Sequence, residues 1–122
     1  QLNSSSQVLP ATQMLPIIQS GAQLRINGNH KFKEGKYREA LMMYLQGCVG
    51  FEMYCATNEQ DQQLLDDVHV QVRKNTAGAA IKTRDYTLCI ESCNKVSRIA
   101  ARAALHFPAR VSGRYGLLSL DL

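Results

Sequence analysis

No tryptophan occurs in the 122 residues, and aromatic side chains of every kind amount to 7%. Lys and Arg are dispersed and no recognised nucleic-acid motif appears, so no nucleic-acid partner is expected. No apolar run approaches the roughly 20 residues that cross a bilayer. Gln1 to Ser20 has neither a basic start nor a continuous apolar stretch, and Pro10 and Pro16 interrupt it. No signal peptide is read there, and a cytoplasmic location is expected. The chain has no nucleophile elbow, no Gly-rich phosphate loop and no His-Glu metal motif. No catalytic constellation and no cofactor are therefore expected of this chain. His30, His69 and His106 stand alone and suit surface or packing roles, and the Asp66-Asp67 pair reads as a solvated helix face.

What is present describes one modest domain. Hydrophobic residues make up 45% and the mean hydropathy is −0.22, values typical of a soluble globular protein. The net charge is +4 with a pI near 9.0. That surplus belongs either to a solvated surface or to a basic groove for an acidic partner. Four cysteines, Cys48, Cys55, Cys89 and Cys93, lack Cys-x-x-Cys spacing. Cys89 and Cys93 share a helix face, so a zinc site joining them to Cys48, Cys55 or a histidine is one alternative. Reduced, buried cysteines of a cytosolic protein fit better.

Helical periodicity organises the middle of the chain. Gln1 to Gln13 reads as an irregular tail. A first helix is expected from Leu15 or Ile17 to Lys33, with Pro16 in its first turn, where a missing N–H costs nothing. Glu34-Gly35-Lys36 is a turn, and a second helix runs from Tyr37 to about Ala56. Thr57 or Asn58 caps a third, from about Asp61 to Lys82, where Leu64, Leu65, Val68, Val72, Thr76, Ala79 and Ala80 recur every three or four residues. Thr83-Arg84-Asp85 is the next turn. No Gly or Pro occurs between Tyr86 and Phe107, so propensity favours one unbroken helix to about His106. Pro108 ends it, Gly113 turns, and Tyr115 to Leu122 is a short apolar end.

Residues 24–44 carry the most information. Leu24, Gly28 and Phe32 form one stripe; Tyr37, Ala40, Leu41 and Tyr44 form another. Gly28 and Ala40 sit where two helices cross closely, with large aromatics filling the rest. This resembles one tetratricopeptide repeat, a helix pair that needs stacked neighbours to bury its face. Asn75, Ala77, Ala80, Tyr86, Cys89, Ile90 and Cys93 echo it, with Ile81-Lys-Thr-Arg-Asp-Tyr86 parallel to Phe32-Lys-Glu-Gly-Lys-Tyr37. The period, 86 − 37 = 49 residues, exceeds the family's usual length of about 34. Helices lengthened at this place resemble those of large FKBP-type immunophilins and the aryl-hydrocarbon-receptor-interacting class of co-chaperones. The resemblance implies an all-α fold of tetratricopeptide hairpins, an α-solenoid of two repeats plus an incomplete or fused third. Its segments are a tail at 1–14 and a domain at 15–122, with repeat one at about 15–56, repeat two at about 61–97 and an atypical segment at 98–122. Exposed apolar surface at the C-terminal end invites self-association.

In part of that family the groove is a carboxylate clamp. The resemblance implies that Arg25 and Asn29, then Asn75 at the matching place in the second repeat, then Arg98 and Arg102, hold the acidic C-terminal peptide of cytosolic heat-shock chaperones. Lys33 and Lys74 read as groove-edge charges or, equally, as part of a solvated face. A prolyl isomerase domain is expected, if anywhere, outside these residues. The rival expectation is a structural repeat module that self-associates as a homo-oligomer or binds a partner helix.

Overall fold

A computed structural model describes residues 7–106 of the chain, a stretch that is mostly helical. The Pro108 stop, the Gly113 turn, the apolar end at 115–122 and the first residues of the tail lie outside it. The element order is β1 (Gln7–Leu9), α1 (Ala11–Lys33), α2 (Tyr37–Met53), β2 (Tyr54–Ala56), α3 (Glu59–Lys82) and α4 (Tyr86–His106). None of these helices is long and apolar enough to cross a membrane.

The helix α1 starts earlier than its sequence suggested. The Pro10 carbonyl accepts from the Gln13 and Met14 N–H groups at 2.9 and 3.0 Å, and Met14 is fully buried. Burial of that side chain holds a turn ahead of Leu15, and Pro16 consequently lies inside the helix. The end of α2 also differs. The chain becomes extended at Tyr54, and Tyr54, Cys55 and Ala56 pair in parallel with Gln7, Val8 and Leu9. Helix propensity gives way here to pairing with a strand 47 residues upstream, with Cys55 buried beneath it. Asn58 caps α3 as expected, its Oδ1 accepting from the Asp61 N–H at 2.8 Å.

The two connecting turns are backbone copies of one another. Gly35 has φ +80 and Arg84 has φ +64. Lys36 N–H donates to the Lys31 carbonyl at 2.9 Å, and Asp85 N–H to the Ala80 carbonyl at 2.8 Å. These are the six-to-one bonds that close a helix C-terminus through a left-handed residue. Every one of these positions obeys the 49-residue offset. In the second turn a non-glycine residue takes the left-handed conformation.

The hairpins α1/α2 and α3/α4 pack on each other through α1, α2 and α3. Met14, Ile18, Leu41, Tyr44, Cys48, Phe51, Leu65 and Val72 belong to the larger core, and Val70, Val96, Ile99, Ala100 and Ala103 fill the space between α3 and α4. The α1/α2 crossing is close: a Cβ on Gly28 would lie 2.5 Å from the Tyr44 ring. The helix α4 runs without a break, as its composition indicated.

Candidate functional site

On α1, Arg25, Asn29 and Lys33 fall at intervals of four, one above another. Across from them on α3 stand Lys74, Asn75 and Gly78. Asn29, Phe32, Lys33, Tyr44, Lys74, Asn75 and Gly78 line a pocket of about 270 Å³. Arg25 adjoins it, its Nε donating to Asn75 Oδ1 at 2.9 Å.

The hydrogen bonds fix which atoms are left to face a ligand. A guanidinium only donates, so Asn75 turns its oxygen to Arg25 and its NH₂ elsewhere. Tyr44 OH donates to Asn29 Oδ1 at 2.5 Å, which leaves the Asn29 NH₂ free of that contact in the same way. Burial raises the Tyr44 hydroxyl above its ordinary pKa, partly opposed by the Arg25 charge, and keeps it a proton donor. Both amide acceptors are thus engaged internally. What remains is two NH₂ groups, two ammonium groups and a guanidinium, beside apolar walls of Phe32 and Tyr44. No acidic side chain lines the pocket.

Three of the five candidate residues meet here: Arg25, Asn29 and Asn75. Arg98 and Arg102 do not join them. Asp66 lies nine residues before Asn75, about half a turn round α3 at 3.6 residues per turn. Arg102 reaches this far side, its Nη2 donating to Asp66 Oδ1 at 2.5 Å, and Arg98 is exposed on α4. By the 49-residue offset the equivalents of Arg25 and Asn29 are Lys74 and Gly78, so Asn75 matches in space and not in repeat position. Tyr44 was legible only as a packing residue, because its hydroxyl's role depends on a partner on another helix.

Asp66 corrects the solvated reading of the Asp66-Asp67 pair: it is 2% exposed. Burial raises its pKa, and Arg102 and Gln62 oppose that shift. A second buried network was not legible. Arg73 Nε and Nη2 donate to Glu52 Oε2, and Arg73 Nη1 donates to Ser92 Oγ at 3.2 Å. His69 Nε2 lies 3.0 Å from the same carboxylate oxygen. Burial pushes Glu52 up, but the hydrogen bonds and charges of His69 and Arg73 outweigh it and hold the carboxyl at about 2. Burial depresses His69, leaving it neutral with an N–H for Glu52.

Cys48, Glu52 and His69 bring three possible metal ligands within 4.8 Å of one another. Arg73 already occupies the Glu52 oxygen with a full positive charge, and burial pushes the Cys48 thiol up to about 11. A cation would have to displace the guanidinium and deprotonate that thiol, so the cluster is an ion-pair network tying α2, α3 and α4 together. Among the described residues Cys89 and Cys93 gather no third metal-binding side chain, and no disulfide forms.

Two curated proteins are similar over part of the chain. The peptidyl-prolyl cis-trans isomerase PASTICCINO1 of Arabidopsis thaliana is 29% identical over 80 residues, 66% of this chain and 13% of its own length. The peptidyl-prolyl cis-trans isomerase FKBP4 of Mus musculus is 31% identical over 68 residues, 56% of this chain and 15% of its own. The chain thus spans less than a sixth of either relative. No family model matches, and no solved structure matches.

Proposed function

We propose that the two hairpins are tetratricopeptide repeats and that the chain is a chaperone adaptor. Its α1/α3 pocket takes the acidic C-terminal peptide of a partner protein, of the kind that ends cytosolic heat-shock chaperones. The observation that carries this reading is the lining of cations and amide NH₂ groups, with no acidic side chain, described above. A peptide ending in Asp offers two carboxylates, and a lining of cations and amide NH₂ groups can satisfy both without presenting a carboxylate of its own. Charge-assisted hydrogen bonds contribute roughly 1.5–3 kcal/mol each. After association costs, micromolar binding near −8 kcal/mol is expected.

Arg25, Asn29 and Asn75 make the contacts, Lys33 and Lys74 add charge at the rim, and Phe32 packs against the ligand's apolar side chain. Similarity to two proteins named as prolyl isomerases supports a place among immunophilin-like co-chaperones; a cytoplasmic setting is part of the same proposal. Catalysis, where it accompanies this module, is assigned to residues outside the chain. Calorimetry with a peptide ending Glu-Glu-Val-Asp tests the reading. Arg25→Ala should weaken binding by about tenfold or more, and Arg98→Ala, on α4 and outside the pocket lining, should leave it unchanged. Equal loss in both variants contradicts the assignment.

A further inference from the structure

The two hairpin turns meet beside the α1/α3 pocket and frame a second hollow of about 420 Å³. Lys36, Tyr37, Arg38 and Glu39 line it from the first turn and the start of α2. Lys82 and Arg84 line it from the end of α3 and the second turn. Four of these six side chains are cationic and one is acidic.

The acids nearby are already engaged. Glu39 pairs with Lys31 at 3.5 Å, and Glu34 with Lys36 at 3.2 Å. Asp85, which follows Arg84, accepts from the Leu88 N–H at 3.1 Å and so caps α4. Arg38, Lys82 and Arg84 are exposed, and none of them has an acidic partner among the described residues. Lys82 is held instead over the Tyr37 ring, its Nζ 5.6 Å from the centroid. Arg84 is notable in its own right. Its φ is +64, whereas its counterpart in the first turn is Gly35. A glycine would close that turn at lower conformational cost, so the turn alone does not call for an arginine, and a charge at the rim of the hollow does.

Hollow and pocket share a wall. Phe32 lines the pocket and Tyr37 the hollow, and the two rings meet edge to face with centroids 4.9 Å apart. Both rings are half-buried, so they form a low ridge between the two sites. Along α3, Gly78 of the pocket precedes Lys82 of the hollow by four residues, about one turn. An extended peptide advances about 3.3–3.6 Å per residue, so three residues carry it about 10 Å, far enough to cross the ridge.

We propose that the acidic peptide taken by the α1/α3 pocket continues over the Phe32–Tyr37 pair into this hollow. There Arg38, Lys82 and Arg84 bind the carboxylate of a residue three positions before its C-terminus. This second contact rests on the reading of the first pocket and adds a selection to it: tails with an acid at that position bind better than tails without one. Exposed ion pairs are weak, so the hollow sharpens specificity and adds modestly to affinity.

Calorimetry at physiological ionic strength with two peptides tests this. One ends Glu-Glu-Val-Asp; in the other the first of those glutamates is Gln, and both have free C-termini. The Gln peptide should bind the wild-type chain about threefold to fivefold more weakly. Arg84→Gly should weaken the Glu peptide by a similar or smaller factor while raising the thermal midpoint, so that loss of folding cannot explain the loss of binding. In the Arg38→Gln/Arg84→Gly chain the two peptides should differ by less than about twofold, the non-additivity of groups in contact. In Arg98→Ala, which removes one charge outside the hollow, the full difference should remain. Equal binding of both peptides by the wild type overturns the second contact, and so does an undiminished difference in the Arg38→Gln/Arg84→Gly chain. If amidation of the C-terminus still weakens binding in either case, the first pocket stands without the second. Failure of both peptides to bind removes the reading of the first pocket and the second contact with it.

Discussion

The two hairpins share their turn geometry but not their filling. The first crosses with Gly28 against Tyr44, whereas the corresponding positions in the second hold Ala77 and Cys93. The first has Leu24 where the second has Arg73, which is 4% exposed and bound to Glu52 and Ser92. Backbone geometry is thus preserved while packing is solved in two ways, one by an aromatic ring over a glycine and one by small side chains plus a buried charge network. The difference also separates tasks. Tyr44, the filler of the first crossing, orients Asn29 in the candidate pocket, whereas Arg73 joins α2, α3 and α4 and has no part in that pocket.

The largest effect should come from making the second hairpin resemble the first at this position. Arg73→Leu leaves Glu52 without its guanidinium and should cost about 3–5 kcal/mol in urea unfolding. Adding Glu52→Gln should recover part of that loss, because the uncompensated charge goes with it. A cost below about 1 kcal/mol would show that the network is ornamental.

Acid should probe the same network. Glu52 titrates at about 2 against an ordinary 4.5, so its stabilisation is present above 4.5 and is lost as pH falls from there toward 2. His69 is depressed below 6.5, and its contribution likewise begins to fade below that pH. Asp66 is raised above 3.8 and offsets part of the loss, since its contribution is largest below 3.8 and declines as pH rises through its folded value. The net expectation is a gentle decline in stability below pH 6.5 that steepens below 4.5, of the order of 2–3 kcal/mol from Glu52. The Glu52→Gln variant should lose the steep part in pH-dependent denaturation.

Filling the first crossing as the second is filled should have a smaller effect. Gly28→Ala pushes a methyl into the Tyr44 ring and should cost about 1–3 kcal/mol. In the Tyr44→Cys background the same change should cost less, a non-additivity readable in a double-mutant cycle. The turns should give the smallest effect. Arg84→Gly relieves a left-handed non-glycine residue and should stabilise by up to about 1 kcal/mol, seen as a raised thermal midpoint. The same comparison makes Gly35→Ala destabilising.

These contrasts also explain what the sequence made legible. The Gly35 turn, the Asn58 cap, the Tyr37/Tyr86 offset and the unbroken α4 follow from local residue chemistry, and local chemistry is what a sequence displays. The three-residue strands depend on a partner 47 positions away, and the start of α1 depends on burial of Met14 by other helices. Burial of Asp66 depends on Arg102, 36 residues on, and the Glu52–Arg73 pair spans 21. The candidate pocket divides the same way. Arg25 and Asn29 came from the resemblance to the repeat family, and their spacing of four shows only that they share a helix face. Engagement of the Asn75 oxygen by Arg25 and of the Asn29 oxygen by Tyr44, which leaves both NH₂ groups for a ligand, appears only once α1, α2 and α3 are packed.

The central claim is that this lining recognises carboxylates and not merely an acidic peptide's net charge. The most direct test is calorimetry with one acidic peptide in two forms, its C-terminus free or amidated, at physiological ionic strength. The account predicts micromolar binding of the free form, weakened by about tenfold or more on amidation. Equal affinity for the two forms would contradict it.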